Sequence, residues 1–487
     1  MRRRSRLEAN LANSGQSRTS RYLFYAGMGF LSLALPTALT LFGGTDPSSS
    51  SSSVVHEEEW LQGWKGIASG VASVPASLDD IHIVFSTDCS AYQNYQSIVL
   101  FHSAEVVNQK GRVTRVASGC TAEEQAELKA LMDLQPERFR VHFTPDYSLD
   151  PTTGEQFMFY NKPNGMAHFL KNAVPPVSEA VVALVDPDMI LMSPLTTNVG
   201  DSAKMLWHTE GHVMGPEWVV EGAPVGQYYG LGGTWSHWED LEEITQVLGE
   251  DSPARKVTLT DAKENYPVGP PYLMHPRDWA RVLDLWVALS PKVYKGHPSI
   301  LAEMYAFCIA AAHLSLRHRV AYGLMVSDTK IPNQEGWSMV DVLGTDSCNP
   351  VAVDQLRGRL PPLVHYCQMY RVGTFMWGKR HKSHHDFFSC GSDSLELPPA
   401  DYLKSPMGTV RVHPVRRAVS GQSPSNMESV SPVVGTRQMY SMCAVLRGMN
   451  EALDSYKKRY CRREEISGGV RRFTDLSDEQ VAADHYS

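Results

Sequence analysis

Two carboxylates, Asp186 and Asp188, come directly after a continuous apolar run at residues 180–185. Such a run is typical of a strand buried in a parallel sheet, and open α/β sheets bind ligands at the carboxyl ends of their strands. Two aspartates separated by one residue supply hard oxygen ligands for a divalent cation that is shared with substrate phosphates. We therefore predict a metal and diphosphate site here, with Mn²⁺ as the natural ion. The alternative is a solvated acidic turn.

A second candidate metal ligand is His365, which follows another short apolar run at residues 361–364. A neutral imidazole can complete a metal shell with carboxylates, although a histidine at a strand end can also simply bond to the backbone. The histidine-rich segment KRHKSHHD, residues 379–386, matches no defined metal-site spacing. We interpret that segment as a solvated basic loop.

The elements that must position these residues alternate between strand and helix. Residues 81–88, IHIVFSTD, form an apolar run that ends in small polar residues and an acid, as expected of a core strand and its loop. Thr121 and Glu124 have capping-box spacing and predict a helix that extends to residue 134. Apolar spacing predicts further helices at residues 276–289 and 298–317. The sequence therefore predicts an α/β fold.

The charge of the chain is uneven along its length. The 487 residues contain 45 Lys plus Arg against 53 Asp plus Glu, a net charge of -8 that argues against general nucleic-acid binding. Residues 1–21 carry six arginines and one acid, and residues 22–42 are uncharged and long enough to cross a bilayer. Since arginine-rich flanks stay cytoplasmic, we predict a single-pass signal anchor with everything after it in a lumen. A cleaved signal peptide is the alternative.

These observations divide the chain into five parts. They are a cytoplasmic tail at 1–21, a transmembrane helix at 22–42, a serine-rich stem at 43–78, a catalytic domain at 79–400 and a C-terminal extension at 401–487. All eight cysteines lie beyond the predicted span, where an oxidising lumen permits disulfides.

Several blocks taken together give the sequence a family resemblance. They are IHIVFSTDCSAYQNYQSIVLFHSA (81–104), GRVTRVASGC (111–120), NKP (161–163), LVDPDMILMSPL (184–195), EMYAFCIAAAHLSLRH (303–318) and HYCQMYRVG (365–373). In this order they resemble the peptidyl serine α-galactosyltransferases of plants and green algae, which are relatives of the hydroxyproline O-arabinosyltransferases.

The resemblance implies a GT-A type nucleotide-sugar fold, Rossmann-like in its sheet, and a metal-dependent enzyme of the Golgi or endoplasmic reticulum membrane. It implies transfer of galactose from UDP-galactose to serine of hydroxyproline-rich, extensin-like proteins, with retention at the sugar. Two alternatives stay open: arabinose transfer to hydroxyproline, and a catalytically silent lumenal protein that binds a glycan or a peptide.

The resemblance also assigns residues. Asp186, Asp188 and His365 would hold the metal, and Asp188 and Glu303 would serve catalysis. Residues implied to contact the nucleotide or its diphosphate, besides Asp186, are Phe85, Ser86, Thr87, Asp88, Arg115 and Lys162. Arg115 and Lys162 could each instead be a structural ion-pair partner. For Arg115 the two roles are equally supported, whereas for Lys162 the contact with the diphosphate is favoured. The matched blocks also imply a Cys89–Cys120 disulfide.

Overall fold

The computed structural model describes residues 64–480, apart from 65, 133–136, 152–153, 201–217, 239–241, 332, 382–383, 400–401, 403–408, 412–426, 475–476 and 478. The predicted tail, membrane span and most of the stem lie outside the described residues. Within the part of the chain that the structure describes, no helix combines the length and the hydropathy needed to cross a bilayer.

The described strands form one large sheet and several small ones. In chain order they are β1 Ile81–Thr87, β2 Val113–Ser118, β3 Phe139–Thr144, β4 Val181–Val185, β5 Met189–Leu191, β6 Val225–Tyr228, β7 Val268–Met274, β8 Arg319–Ala321, β9 Met325–Val326, β10 Leu363–His365, β11 Met369–Val372, β12 Phe375–Gly378, β13 Ser394–Leu395, β14 Thr409–Arg411, β15 Met427–Ser429 and β16 Val470–Arg471. The large sheet has the order β3-β2-β1-β4-β7-β6-β8. Strands β3, β2, β1 and β4 are mutually parallel, whereas β7 runs antiparallel to both β4 and β6.

The described α-helices cover the sheet and its edges. They are α1 Ala91–Val106, α2 Ala122–Met132, α3 Asn161–Asn172, α4 Gly232–Trp235, α5 Glu242–Leu248, α6 Leu259–Asn265, α7 Pro276–Gly296, α8 Ala302–His313, α9 Trp337–Asp341, α10 Pro350–Leu356 and α11 Pro432–Tyr460. The predicted mixed α/β class, with a mainly parallel sheet, is therefore confirmed.

Strand β4 shows why an unbroken apolar run suits the centre of this sheet. Val182 and Leu184 pack into the core that α3, α7 and α8 form on one face. Val181, Ala183 and Val185 pack into the core that contains α1 on the other face. Because both faces of the strand are covered, every position must be apolar.

Helix boundaries differ from the sequence expectations at several ends. The Thr121 hydroxyl accepts from the Glu124 amide, and the Glu124 carboxylate accepts from the Thr121 amide, which confirms the capping box. Helix α7 extends seven residues past the expected end at 289 and continues through Pro291. Helix α8 is shorter than the expected helix at residues 298–317. A turn at Ser299 precedes it, and Leu314 is its C-terminal cap.

A second, three-stranded sheet connects the large sheet to the C-terminal part of the chain. Its order is β5-β10-β9, with β10 antiparallel to β5 and parallel to β9. After β10 the chain forms the antiparallel hairpin β11–β12. Helix α11 packs on this hairpin and contributes Met439, Tyr440 and Leu446 to the same apolar core as Ile190 and Val364.

Three disulfides join distant segments: Cys89–Cys120, Cys348–Cys443 and Cys390–Cys461. The first confirms the predicted pairing and joins the loop after β1 to the loop after β2. The other two join α11 and the residue that follows it to earlier parts of the chain. Cys308 and Cys367 are free thiols, the former buried and the latter exposed.

Candidate functional site

The Asp-Pro-Asp segment lies where the two sheets meet. Strand β4 ends at Val185, and Asp186 and Asp188 precede β5, which begins at Met189. His365, the last residue of β10, lies opposite Met189 in the antiparallel pairing. The Tyr366 amide donates to the Asp188 carbonyl over 3.0 Å and fixes this register. Backbone pairing therefore places an imidazole, which comes from far along the chain, beside the two aspartates.

Asp186, Asp188 and His365 form a compact set of three potential ligands. One ligand atom from each residue lies within 4.8 Å of the others. His365 Nε2 is 3.2 Å from Asp188 Oδ1. Both Asp188 and His365 are buried, with 5% and 8% of their surface exposed, while Asp186 is half-buried. The sequence predicted all three as metal ligands, and the structure brings all three together.

The chemistry of this set fits a divalent cation such as Mn²⁺. Two carboxylates and one imidazole combine hard oxygen donors with a borderline nitrogen donor. The second nitrogen of the imidazole, His365 Nδ1, lies 3.5 Å from the Tyr229 hydroxyl. A metal-binding histidine commonly donates through its second nitrogen to an outer partner, so this arrangement leaves Nε2 facing the aspartates.

Lys162 connects Asp186 to a second, deeply buried acid. Its Nζ lies 2.8 Å from Asp186 Oδ1 and 2.8 Å from Glu303 Oε1. Lys162 is in the first turn of α3 and Glu303 is in the first turn of α8, so this contact joins the N-terminal ends of two helices. Burial opposes the charge on Lys162, but Asp186 and Glu303 outweigh it and raise the pKa of Lys162.

Glu303 is only 1% exposed, and its Oε2 has no hydrogen-bond partner among the described residues. Burial raises the pKa of Glu303, and Lys162 opposes that rise. A buried carboxylate oxygen without a partner is costly, which is consistent with a role toward a ligand. The Trp286 indole donates to the Glu303 carbonyl over 2.6 Å and holds the start of α8 in place.

Lys379 binds Asp188, which the sequence analysis did not predict. Its ammonium contacts Asp188 Oδ2, on the opposite side of the carboxylate from His365. Burial opposes the ionisation of Asp188, but Lys379 and His365 together hold the pKa of Asp188 well below its usual range. The interpretation of residues 379–386 as a solvated basic loop is therefore wrong at Lys379, and it is also wrong at His381 and His384, which are buried. The only sequence signal was that Lys379 directly follows a short apolar run, FMWG.

The predicted nucleotide segment of β1 lies beside the aspartates. Phe85 pairs with Val185 across parallel strands, so Ser86 and Asp186 are the next residues along. The Phe85 ring is buried in the core, where it contacts Phe101 edge to face. The Asp88 carboxylate accepts from the backbone amide and the hydroxyl of Ser90, at the start of α1. Ser86 and Asp88 are both partly exposed at this edge.

Arg115 lies behind this segment rather than at its surface. Its guanidinium donates to the Thr87 hydroxyl, the Asp88 carbonyl and the Asn94 side chain over 2.7–2.8 Å. The side chain is fully buried, and desolvation lowers the pKa of Arg115 to about 9. These contacts give Arg115 a structural role: it holds the loop that carries Asp88.

Comparisons with known proteins were made at the levels of family, sequence and structure. No family model matches the chain. It is 26% identical over 265 residues to a peptidyl serine alpha-galactosyltransferase of Arabidopsis thaliana, covering 52% of this chain and 28% of that protein. It is 25% identical over 412 residues to a protein of the same name from Chlamydomonas reinhardtii, covering 79% of this chain and 47% of that protein. The chain thus spans less than half the length of either relative.

Solved structures of glycosyltransferases show weak similarity. The galactosyltransferase LgtC, in complex with donor and acceptor sugar analogues, matches with 13% identity and a TM-score of 0.31 over 59% of this chain and 87% of that chain. The bifunctional glycosyltransferase WbbM matches with 12% identity and a TM-score of 0.32 over 62% and 48% of the two chains. At these TM-scores neither likeness carries a functional assignment.

The two sequence matches agree in name and come from a plant and a green alga, as the sequence blocks predicted. The predicted resemblance is thereby confirmed: the chain is similar, at 25–26% identity, to two proteins named peptidyl serine alpha-galactosyltransferase.

Proposed function

We propose that this chain is a metal-dependent glycosyltransferase of the GT-A type that transfers galactose from UDP-galactose to serine in hydroxyproline-rich proteins. The observation that carries the proposal is the convergence of Asp186, Asp188 and His365 at the carboxyl end of β4, with ligand atoms within 4.8 Å of one another. The names of the two homologues support galactose as the sugar and peptidyl serine as the acceptor. Those names also specify an alpha linkage, and since UDP-galactose is alpha-linked, transfer would retain the configuration.

The metal site accounts for activation of the leaving group. A Mn²⁺ held by Asp186, Asp188 and His365 would neutralise the negative charge that develops on the departing UDP. Lys162 and Lys379 place two further positive charges beside the same aspartates. This concentration of cations suits a diphosphate, because ammonium groups bind phosphate oxygens through strong charge-assisted hydrogen bonds.

Glu303 is the acid available to the sugar. Lys162 binds one of its oxygens, and the other is buried without a partner among the described residues. We propose that this second oxygen accepts a hydrogen bond from the galactosyl group or stabilises positive charge on it during transfer. Lys162 binds both Glu303 and Asp186 and would thereby fix the position of the sugar relative to the diphosphate.

We also propose the location that the sequence predicts: an anchor at residues 22–42 and a catalytic part in the lumen of the Golgi or endoplasmic reticulum. Three disulfides support an oxidising compartment, because cytosolic thiols are kept reduced. Protease protection of the folded part in intact microsomes tests this topology. Digestion of that part from the cytosolic side contradicts it.

The test of activity uses the full chain with a serine-hydroxyproline peptide and a panel of UDP-sugars, read by mass spectrometry. We expect addition of one hexose from UDP-galactose, and loss of that addition after chelation of divalent cations. Asp188→Asn should lower the rate at least about 100-fold, because it replaces a charged metal ligand with a neutral, weaker one. The matched control is Asp386→Asn, an exposed acid in the segment after β12.

The outcomes separate the candidate functions. Addition of a pentose to hydroxyproline would favour the arabinosyltransferase alternative. Binding of UDP and Mn²⁺ without turnover of any donor would favour a catalytically silent binding protein. Full activity of Asp188→Asn would contradict the metal site.

A further inference from the structure

Each oxygen of the Asp188 carboxylate contacts a nitrogen atom of another side chain. His365 Nε2 lies 3.2 Å from Oδ1, and the Lys379 ammonium contacts Oδ2. His365 belongs to the candidate metal set, whereas Lys379 does not. A divalent cation on Asp188 must therefore share this carboxylate with a lysine.

The local structure places Lys379 beside Asp188. The hairpin β11–β12 begins four residues after His365 and ends at Gly378, so it returns the chain to the site one residue before Lys379. The Tyr95 hydroxyl, from α1, donates to the Lys379 carbonyl over 2.5 Å. The side chain of Lys379 is 17% exposed.

A divalent cation and Lys379 compete for Asp188 because both are positive and both bind the same carboxylate. At the few ångströms that separate groups around one carboxylate, repulsion between like charges is strong, and burial strengthens it. A nucleoside diphosphate changes this balance. Its phosphate oxygens offer Lys379 another anionic partner, and lysine is a common phosphate-binding residue.

We propose that Lys379 couples the binding of the divalent cation to the binding of the nucleoside diphosphate. Without nucleotide, Lys379 holds Asp188 and weakens binding of the cation. With nucleotide, Lys379 moves to the diphosphate and leaves Asp188 to the cation. Each ligand then strengthens the binding of the other by the same factor, as linkage requires. This inference rests on the proposed function, since it assumes that the site binds both ligands.

The test measures Mn²⁺ affinity of the full chain by titration, with free Mn²⁺ followed by electron paramagnetic resonance, in the absence and the presence of UDP. In Lys379→Met we expect Mn²⁺ to bind about tenfold more tightly without UDP, because the competing ammonium is gone. UDP should bind more weakly to this variant in the presence of Mn²⁺. The factor by which UDP strengthens Mn²⁺ binding should fall about tenfold or more. An increase in cation affinity on removing a site residue is a result that loss of structure does not produce.

Three further variants complete the design. Lys379→Gln removes the same charge with a polar side chain, so it should reproduce the result even if the methionine variant folds poorly. Lys379→Arg keeps the charge and should keep most of the coupling. Arg380→Met removes a charge from the adjacent, exposed position and should leave Mn²⁺ affinity unchanged.

The inference is overturned if Lys379→Met and Lys379→Gln bind Mn²⁺ no more tightly than the wild type while the wild type binds both Mn²⁺ and UDP. If the wild type binds neither ligand, the proposed function itself fails, and the two failures are thereby distinguished.

Discussion

Glu303 and Asp188 are both buried acids of the same site, yet their pKa values are shifted in opposite directions. Asp188 has two close partners, Lys379 and His365, which outweigh its burial and hold the pKa of Asp188 well below its usual range. Among the described residues, Glu303 has Lys162 as its one cationic partner and shares it with Asp186, so burial dominates and raises the pKa of Glu303. Environments that separate the pKa values of neighbouring acids are typical of sites where the acids have different roles. The lowered pKa of Asp188 suits binding of a metal cation. The raised pKa of Glu303 suits contact with a group that carries less charge than the metal.

A substitution at Glu303 tests this difference in role. Glu303→Gln keeps the shape of the side chain and one acceptor oxygen, but it replaces the other oxygen with an NH2 donor and removes the charge. Since Asp186 still pairs with Lys162, we expect UDP affinity to remain within about threefold while transfer falls about 100-fold or more. Steady-state kinetics together with UDP titration check this split. Glu105→Gln, at an exposed position of α1, is the control. Unchanged turnover in Glu303→Gln would leave Glu303 as a structural partner of Lys162 only.

At the scale of elements, the junction between β7 and α7 contains a buried acid that should make stability depend on pH. Asp278, in the first turn of α7, accepts from the Gly222 amide over 2.8 Å. Its Oδ1 accepts no hydrogen bond from the described residues and lies 4.0 Å from Arg281 Nη1. Burial raises the pKa of Asp278 to about 6. An unfolded aspartate has a pKa of about 3.9. Folding therefore favours the protonated form of this acid.

The sign of the pH effect follows from this upward shift. The contribution of Asp278 to stability is fully present below about pH 4 and is lost as pH rises through about 6, a change of about 3 kcal/mol. Asp278→Asn cannot ionise, so relative to the wild type it should gain about 2–3 kcal/mol of stability between pH 4 and pH 7.5. Denaturant unfolding of both proteins at the two pH values measures this gain. A stability difference that does not vary with pH would contradict the buried, proton-binding role.

Some elements of the site could be predicted from the sequence, and others could not. Strand β4 and its aspartates were predictable because a continuous apolar run ending in two acids is a local pattern. The approach of His365 was inferred from family blocks, and in the structure it depends on the pairing of β10 with β5. Lys379 could not be predicted from local pattern, because its position depends on a hairpin that folds back over Asp188. Arg115 was ambiguous in sequence for a similar reason: an arginine in a strand can face a ligand or, as here, a loop.

At the scale of the whole molecule, the C-terminal segment is part of the structure that supports the site. Helix α11 is joined to residue 348 by the Cys348–Cys443 disulfide, and the residue after it pairs with Cys390. Its apolar face shares a core with Ile190 of β5, two residues after Asp188. Gly448 lies against this strand: a Cβ added there would lie 2.3 Å from Ile190 Cδ1. We therefore expect the geometry of the metal set to depend on the packing of α11 against β5.

A double-mutant cycle at Gly448 and Ile190 measures this dependence. Gly448→Ala should cost about 1–3 kcal/mol by overpacking, and Ile190→Val should cost about 1 kcal/mol by removing Cδ1. In the double variant the valine makes room for the alanine, so its total cost should be about 1–2 kcal/mol less than the sum of the single costs. Because the strain falls on the strand next to Asp188, Gly448→Ala should also weaken Mn²⁺ binding, and Ile190→Val should restore it. Gly296→Ala, at the end of α7 where no atom lies within 4 Å of the new methyl group, should cost little. Additive costs in the cycle, with Mn²⁺ affinity unaffected, would show that α11 packs against β5 without constraining the site.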